Sequence, residues 1–160
     1  MKDVPDTPAT RWLNENGVDY EIVETAPPGS AEESAQLQGI ELRQLLRTIV
    51  VRRAEDDYLF VLVPGGRRFD WPKLRAHLGV NRMSLPDADE AKAVTGYERG
   101  TITPFGATNS WPMIADASID ALAKVAIGGG RRGVNIHIRP ADLVAATGAD
   151  VVDVTTSAPD

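Results

Sequence analysis

The sequence contains no cysteine and only two histidines. Without cysteine, disulfides, thiolate nucleophiles and Cys-ligated metal sites are all excluded. His77 and His137 are far apart in the chain and lack carboxylates at the spacing of a metal site. Rossmann and P-loop fingerprints are also absent. We therefore expect no metal ion and no other cofactor.

A long hydrophobic run is missing as well. The N-terminus carries Asp3 and Asp6 rather than a basic and apolar leader. This pattern predicts a cytoplasmic protein that does not bind membranes. With 160 residues, 42% of them hydrophobic, the chain can form one domain with a substantial core, and it has no internal repeat. We expect a single domain over residues 1–160.

An excess of positive charge is lacking too, since the net charge is −6. This argues against a protein that coats nucleic acid nonspecifically. The charge is uneven, however: residues 41–139 hold 15 basic and 11 acidic side chains, and both ends are acidic. Eight arginines near predicted strand ends and loops could contact phosphates, or could simply form a solvated surface. They are Arg47, Arg52, Arg53, Arg67, Arg68, Arg99, Arg131 and Arg132.

Capping residues predict a series of short helices. Each begins at a Thr, Ser, Asp or Pro and stops at a glycine. The predicted helices cover 7–17, 30–39, 70–79, 87–96 and 140–148, with a further helical turn through Leu46.

Apolar alternation predicts strands between these helices. They cover 18–23, 48–53, 58–63, 82–85, 112–116, 124–127, 134–138 and 151–154. The second and third form a hairpin across the acidic turn 54–57. Because hairpins are mixed with helices, we expect an α+β domain in which helices surround a mixed or antiparallel sheet.

Two glycine-rich segments, 96–106 and 128–133, are the best candidates for a site. Glycine allows a positive φ and lets backbone N–H groups approach a ligand, and Pro104 restricts the exit of the first segment. Backbone donors beside arginines favour an anionic or oxyanion-forming ligand. The alternative is that both segments are ordinary turns, and that Gly96 is simply a helix stop.

Five stretches carry a resemblance to a known family: 46–51, 95–97, 100–106, 130–133 and 140–143. Together they resemble the YbaK/EbsC family, which is related to the editing domain inserted in bacterial prolyl-tRNA synthetases. The G-x-x-x-P motif from Gly100 to Pro104 is the most specific element. The similarity runs from about Thr7 to Val154, which implies a core over about 7–154 and an acidic C-terminal tail.

The resemblance implies a stand-alone aminoacyl-tRNA deacylase. Such an enzyme hydrolyses the ester of a wrongly attached small amino acid of the Ala, Cys or Pro class, often on tRNA for proline. It also implies the 3′ acceptor end of aminoacyl-tRNA as ligand and an aminoacyl-tRNA synthetase as candidate partner. The alternative is a binding module of the same fold that holds a tRNA acceptor end or a nucleotide and hydrolyses nothing.

The residues are compatible with that reaction. Since no Gly-x-Ser-x-Gly elbow, cysteine or metal cluster supplies a nucleophile, water must attack if the chain is a hydrolase. Backbone N–H groups near Gly100, Thr101, Ile102 and Thr103 are suitable oxyanion donors. The resemblance implies that a ribose hydroxyl of the substrate orients the water.

Arg47 departs from the family pattern, which usually has lysine there. Arginine keeps the charge but cannot act as a general base, so we expect an electrostatic role or an ion pair with a nearby carboxylate. Asp116 could position a substrate amine. His137 shares a strand face with Asn135 and Arg139 and is either a pocket residue or a solvated or hydrogen-bonded histidine. The predicted substrate-binding residues are Pro104, Phe105, Gly106, Asp116, Gly129, Gly130, Arg131, Arg132 and His137.

Overall fold

The computed structural model of the protein describes residues 5–157. Asp3 and residues 158–160 of the predicted acidic tail lie outside the described residues. Five α-helices occur within that range, close to the bounds that the capping residues predict. They are α1 (Pro8–Glu15), α2 (Ala31–Gln38), α3 (Trp71–Leu78), α4 (Ala88–Thr95) and α5 (Pro140–Thr147). A 3-10 turn at Leu42–Gln44 replaces the helical turn expected through Leu46.

Local chemistry accounts for these helix ends. The side chains of Thr7, Ser30, Asp70 and Asp87 each accept a hydrogen bond from a first-turn N–H. Four helices are followed by a glycine in the left-handed conformation, which only glycine adopts without a steric cost. These glycines are Gly39, Gly79, Gly96 and Gly148.

Nine strands form three sheets in the described part of the chain. They are β1 (Glu21–Glu24), β2 (Leu46–Ala54), β3 (Asp57–Pro64), β4 (Arg67–Phe69), β5 (Met113–Asp116), β6 (Val125–Gly128), β7 (Val134–Ile138), β8 (Asp150–Val152) and β9 (Thr155–Ser157). The first sheet has the strand order β1-β7-β6 and is antiparallel, and the second has the order β2-β3-β5-β8 and is mixed. In the third sheet, β4 pairs with β9. The predicted α+β class with a mixed sheet is confirmed.

Strand β3 lies at the centre of the core. Tyr58, Phe60 and Leu62 pack into a cluster that also contains Leu13 and Phe105. The intervening residues Leu59, Val61 and Val63 face a second cluster with Leu74 of α3. Both faces of the strand are therefore buried, as a continuous apolar run of this kind indicates.

Two predicted strands are wrong in extent. Residues 18–20 are not a strand, because the Val18 N–H donates to the Leu13 carbonyl (3.0 Å) and is held at the end of α1. The strand expected at 82–85 is a single bridge in which Ser84 pairs with Arg52. Pro86 has no N–H, so the pairing cannot continue past this point.

Strands β4 and β9 do not follow from the sequence pattern, since each is only three residues long and their partners are remote. The predicted strand at 151–154 occurs as β8, which begins one residue earlier, ends two residues earlier and runs parallel to β5. No described helix is long and apolar enough to cross a membrane.

Candidate functional site

A cleft of about 690 Å³ lies beside the first half of β2. Its walls come from five segments that are distant in sequence: the turn into α2, the start of β2, the turn into α4, the loop 99–102 and the loop 128–135. Six of the predicted site residues meet in this cleft. They are Arg47, Gly100, Thr101, Ile102, Arg131 and Arg132.

Most of the charged side chains that line the cleft are positive. Arg47, Arg99, Arg131 and Arg132 line it, and none of these has a carboxylate within 4.0 Å in the described part of the chain. Four guanidinium groups without ion-pair partners leave a strong attraction for an anion.

The other four arginines of the predicted cluster lie elsewhere. Arg52 is 3.8 Å from Glu90, Arg53 is 2.8 Å from Asp57, and Arg67 is 3.7 Å from Asp116. Arg68 is exposed on β4 and does not line the cleft. The predicted arginine cluster is therefore two sets, and only one of them faces the cleft.

Arg47 is exposed on β2 at the cleft wall. Its Nη2 donates to the Arg67 carbonyl at 3.1 Å, and the expected alternative of a carboxylate partner is not found among residues 5–157. A single carbonyl satisfies only part of a guanidinium with five N–H donors. Arg47 thus keeps donors available for a ligand.

The first glycine-rich loop is built around the end of α4. Gly96 stops the helix with φ +82, and both the N–H and the hydroxyl of Thr101 donate to the Glu98 carbonyl (2.9 and 2.7 Å). The Thr101 N–H is therefore already used within the loop. By contrast, the N–H groups of Gly100 and Ile102 donate to no described acceptor.

Gly100 needs to be glycine in this loop. Its φ is +91, which L side chains rarely adopt, and a Cβ there would lie 3.3 Å from Nη2 of Arg132. The Arg132 guanidinium consequently covers Gly100 and joins the two glycine-rich loops at one wall of the cleft.

The rest of the first loop turns into the core. Thr103 and Phe105 are fully buried, Gly106 packs against the backbone of Pro8, and neither these residues nor Pro104 line the cleft. The Tyr97 hydroxyl donates to the Phe105 carbonyl (2.6 Å), which anchors the loop. These residues support the loop rather than face a ligand.

The second glycine-rich loop connects β6 and β7. The Gly129 N–H donates to the Val134 carbonyl (2.9 Å), and the Gly129 carbonyl accepts from the Thr7 hydroxyl (2.6 Å). Gly129 is thus a structural residue outside the cleft. Arg131 and Arg132 are exposed and stand between the cleft and an adjoining cavity of about 480 Å³. Gly130 lines that second cavity.

Asp116 is buried away from the cleft. Its Oδ2 accepts from the Ser118 N–H (3.1 Å) and its Oδ1 accepts from the Val154 N–H (3.1 Å). Burial alone would raise its pKa, but hydrogen bonds from the Ser118 hydroxyl, the Val154 N–H, the Thr155 hydroxyl and the Ser118 N–H hold the pKa below its ordinary value. With its oxygens engaged in joining β5 to the C-terminal segment, Asp116 does not reach the cleft to position a substrate amine.

His137 is also buried and does not line the cleft. Its Nε2 lies 2.9 Å from Gln38 Oε1, and Gln38 Nε2 donates to the Ser34 hydroxyl oxygen (3.0 Å). Burial lowers the pKa of His137. A hydrogen-bond chain therefore runs from the buried histidine to Ser34, which does line the cleft.

Two segments of the cleft wall were not predicted from the sequence to be part of the site. One is Thr25–Ser34, with the Pro27-Pro28-Gly29 turn before α2; the other is Leu85–Ala88, which leads into α4. Each is a helix entry preceded by proline, and that pattern alone does not separate a site wall from a turn. Thr25 and Thr48 each bury a hydroxyl oxygen that has no partner among the described residues.

The remaining polar side chains of the cleft are hydroxyls, the Asn135 amide and one carboxylate, and no histidine, lysine or aromatic side chain of residues 5–157 lines it. No group of three or more His, Asp or Glu residues within 5–157 could hold a metal ion. Among the described residues, therefore, no serine or threonine of the cleft hydrogen-bonds a histidine or lysine that could act as its activating base. The arrangement can bind an anion and stabilise an oxyanion through backbone donors and guanidinium groups.

Comparison with known proteins agrees with this chemistry. A family model described as an aminoacyl-tRNA editing domain matches residues 25–146. A protein of Enterococcus faecalis named "Putative Cys-tRNA(Pro)/Cys-tRNA(Cys) deacylase EbsC" is 25% identical over 153 residues, which cover 94% of this chain and 93% of that protein.

A proline–tRNA ligase of Thermosipho melanesiensis is 27% identical over 150 residues. The match covers 92% of this chain but only 26% of the ligase. Among solved structures, "a putative trans-editing enzyme for prolyl tRNA synthetase" superposes with a TM-score of 0.85 at 26% identity, covering 96% of this chain and all of the other.

Proposed function

This chain belongs to the aminoacyl-tRNA editing-domain family, and we propose that its cleft hydrolyses the ester bond of aminoacyl-tRNA that carries a wrong small amino acid. The substrate class is Ala, Cys or Pro on tRNA for proline or a similar tRNA. The deacylase name of the Enterococcus faecalis relative supports this choice.

One observation carries the proposal. Four arginines without carboxylate partners among the described residues line one cleft together with Gly100 and Ile102, whose N–H groups donate to no described acceptor. Guanidinium groups suit the phosphates of a tRNA acceptor end, whereas paired backbone donors suit the oxyanion of a tetrahedral intermediate. An aminoacylated 3′ end has both features within a few bonds of each other.

The reaction that we propose is attack of water on the ester carbonyl carbon. The carbonyl oxygen becomes an oxyanion that accepts from Gly100 and Ile102, and each such donor is worth on the order of 10²-fold in rate. The bond to the ribose oxygen then breaks, that oxygen takes a proton, and the products are the free amino acid and tRNA. A ribose hydroxyl of the substrate orients the water.

Arg47 stabilises the bound ester through its charge in this proposal. Because arginine stays protonated at any accessible pH, it cannot accept the proton of water. Arg131 and Arg132 contact phosphates of the acceptor end. The protein acts in the cytoplasm on charged tRNA, with an aminoacyl-tRNA synthetase as the source of the mischarged substrate.

The test is amino-acid release from a panel of charged tRNAs by the purified protein. We expect release from at least one mischarged tRNA, most strongly for a small amino acid on tRNA for proline. Correctly matched pairs serve as controls. Binding of the acceptor end without release of any amino acid would instead support a binding module of this fold.

A further inference from the structure

Asp87 is the one carboxylate among the described residues that line the cleft. It is the N-cap of α4, where Oδ1 accepts from the Glu90 N–H at 2.8 Å. Oδ2 accepts no hydrogen bond from a described donor, and no described cation lies within 4.0 Å of this carboxylate. One oxygen therefore caps the helix while the other is available at the cleft.

Asp87 and Arg47 line the same cleft, and an antiparallel bridge ties the segment before Asp87 to β2. Arg52 and Ser84 exchange two backbone hydrogen bonds (2.8 and 3.0 Å) in an antiparallel bridge. From that bridge, Leu85 and Pro86 lead back along β2 in the direction of Arg47, and Asp87 follows them. Ile49 and Val50 of β2 line the same cleft.

A carboxylate opposes the binding of a polyanion in a cleft lined by arginines, unless the ligand also brings a cation. An aminoacyl ester brings one such cation, the α-ammonium group on the carbon next to the carbonyl that is attacked. The phosphates of aminoacyl-tRNA can bind the arginines, and its α-ammonium group can bind Asp87.

We infer that Asp87 binds the α-ammonium group of the substrate and makes the cleft selective for aminoacyl-tRNA with a free amine. This inference rests on the proposed function. When the amine is acylated, as in peptidyl-tRNA or formylaminoacyl-tRNA, the charge is lost and the carboxylate is left facing an amide. Such a mismatch discriminates more strongly than a missing contact, since a charged group loses water without gaining a partner.

The experiment compares one aminoacyl-tRNA with its N-acetylated form, for wild type and for Asp87→Asn. Asparagine is as good an N-cap as aspartate, so the substitution removes the charge and preserves the helix start. Asp70→Asn is the matched control, because Asp70 caps α3 through the Lys73 N–H (3.1 Å) and does not line the cleft.

For wild type we expect kcat/KM to be about tenfold or more higher for the free amine than for the N-acetyl substrate. Asp87→Asn should lose most of its activity on the free amine, keep its activity on the N-acetyl substrate, and so bring the ratio close to one. Asp70→Asn should keep the wild-type ratio. Thermal midpoints of the three proteins verify that all are folded.

Two results would overturn the inference while leaving the proposed function intact. One is equal hydrolysis of both substrates by wild type, and the other is an unchanged ratio in Asp87→Asn. Absence of release from every charged tRNA, with or without the acetyl group, would overturn the proposed function and this inference with it.

Discussion

Arg47 shows how one side chain limits the mechanism. It is exposed at the cleft wall, has one carbonyl partner and lacks a carboxylate within 4.0 Å among the described residues. A permanently charged group with unused donors can attract an ester oxygen or a phosphate but cannot remove a proton from water. Arg47 therefore has an electrostatic role and is not the general base of the reaction.

We expect Arg47→Ala to lower kcat/KM for deacylation by about tenfold or more, and Arg47→Lys to keep much of the activity because the charge remains. The thermal midpoint should change by only a few degrees, since an exposed side chain with one hydrogen bond contributes little to stability. Arg68→Ala is a control outside the cleft. Full activity in Arg47→Ala would remove Arg47 from the site.

His137 predicts a pH dependence of stability. Burial lowers its pKa from 6.5, and its Nδ1 has no partner among the described residues. Below pH 6.5 the unfolded chain binds a proton that the folded chain resists, so the free energy of unfolding should fall as the pH drops from about 7.5 to 5.5. Above that range both states are neutral, and the effect should vanish.

Urea unfolding of wild type and His137→Asn at several pH values within this range measures the effect. The variant should show a flatter dependence, because it lacks the imidazole that takes up a proton in the unfolded chain and resists it in the folded one. His77→Asn is the control, since His77 is only partly buried. Parallel curves for wild type and His137→Asn would contradict the prediction.

At the scale of elements, the two glycine-rich loops act as one wall. Arg132 from the second loop covers Gly100 of the first, and the hydrogen bonds from Thr101 to the Glu98 carbonyl close a tight turn within the first loop. Within this wall, the N–H groups of Gly100 and Ile102 donate to no described acceptor.

Gly100→Ala should therefore impair turnover more than folding. The new Cβ is strained at φ +91 and lies 3.3 Å from the Arg132 guanidinium, so the loop and Arg132 must shift. Gly79→Ala is a matched control, because Gly79 also has a positive φ (+67) but no atom lies within 4 Å of its added Cβ. Both variants should lose about 1 kcal/mol of stability, yet only Gly100→Ala should lose kcat. Normal kcat in folded Gly100→Ala would make the loop a simple turn.

For the whole molecule, the distribution of charge matters more than its sum. The chain has a net charge of −6, yet the described charges that line its cleft are four arginines and one aspartate. A local positive potential on an acidic protein favours a small anionic footprint over extensive coating of nucleic acid.

We expect the double variant Arg131→Ala/Arg132→Ala to raise KM for charged tRNA, because both guanidinium groups contact phosphates of the acceptor end. Since Arg132 also covers Gly100, the kcat test uses Arg131→Ala alone, which should raise KM and leave kcat nearly unchanged because a phosphate contact binds the ground state and the transition state equally. The slope of log K against log salt should fall by roughly 1 for each phosphate that the variant no longer binds. Kinetics at two or more salt concentrations measure both quantities. An unchanged KM and salt slope would exclude these arginines from the tRNA surface. Arg52→Ala/Arg53→Ala is the control, since both residues form ion pairs outside the cleft.

The helix ends, the β2–β3 hairpin and the family were predictable from the sequence by itself. Caps such as Thr7 and Asp87, and stops such as Gly96, act within one helical turn. Neighbouring residues are therefore enough to predict where these helices begin and end. The G-x-x-x-P motif is also a short continuous stretch of sequence, and its Gly100 lies in the wall of the cleft.

Only the tertiary structure decided which residues share the cleft. The pairing of β4 with β9 and of β5 with β8 joins residues far apart in the chain, and short strands are stable only with such partners. Arg52, Arg53 and Arg67 form ion pairs with carboxylates instead of joining the predicted cluster. The sequence did not predict these pairs, because nothing in it identifies the carboxylates as their partners. Asp87 likewise could not be identified as a site residue from the sequence, because only the folded structure shows that it lines the cleft.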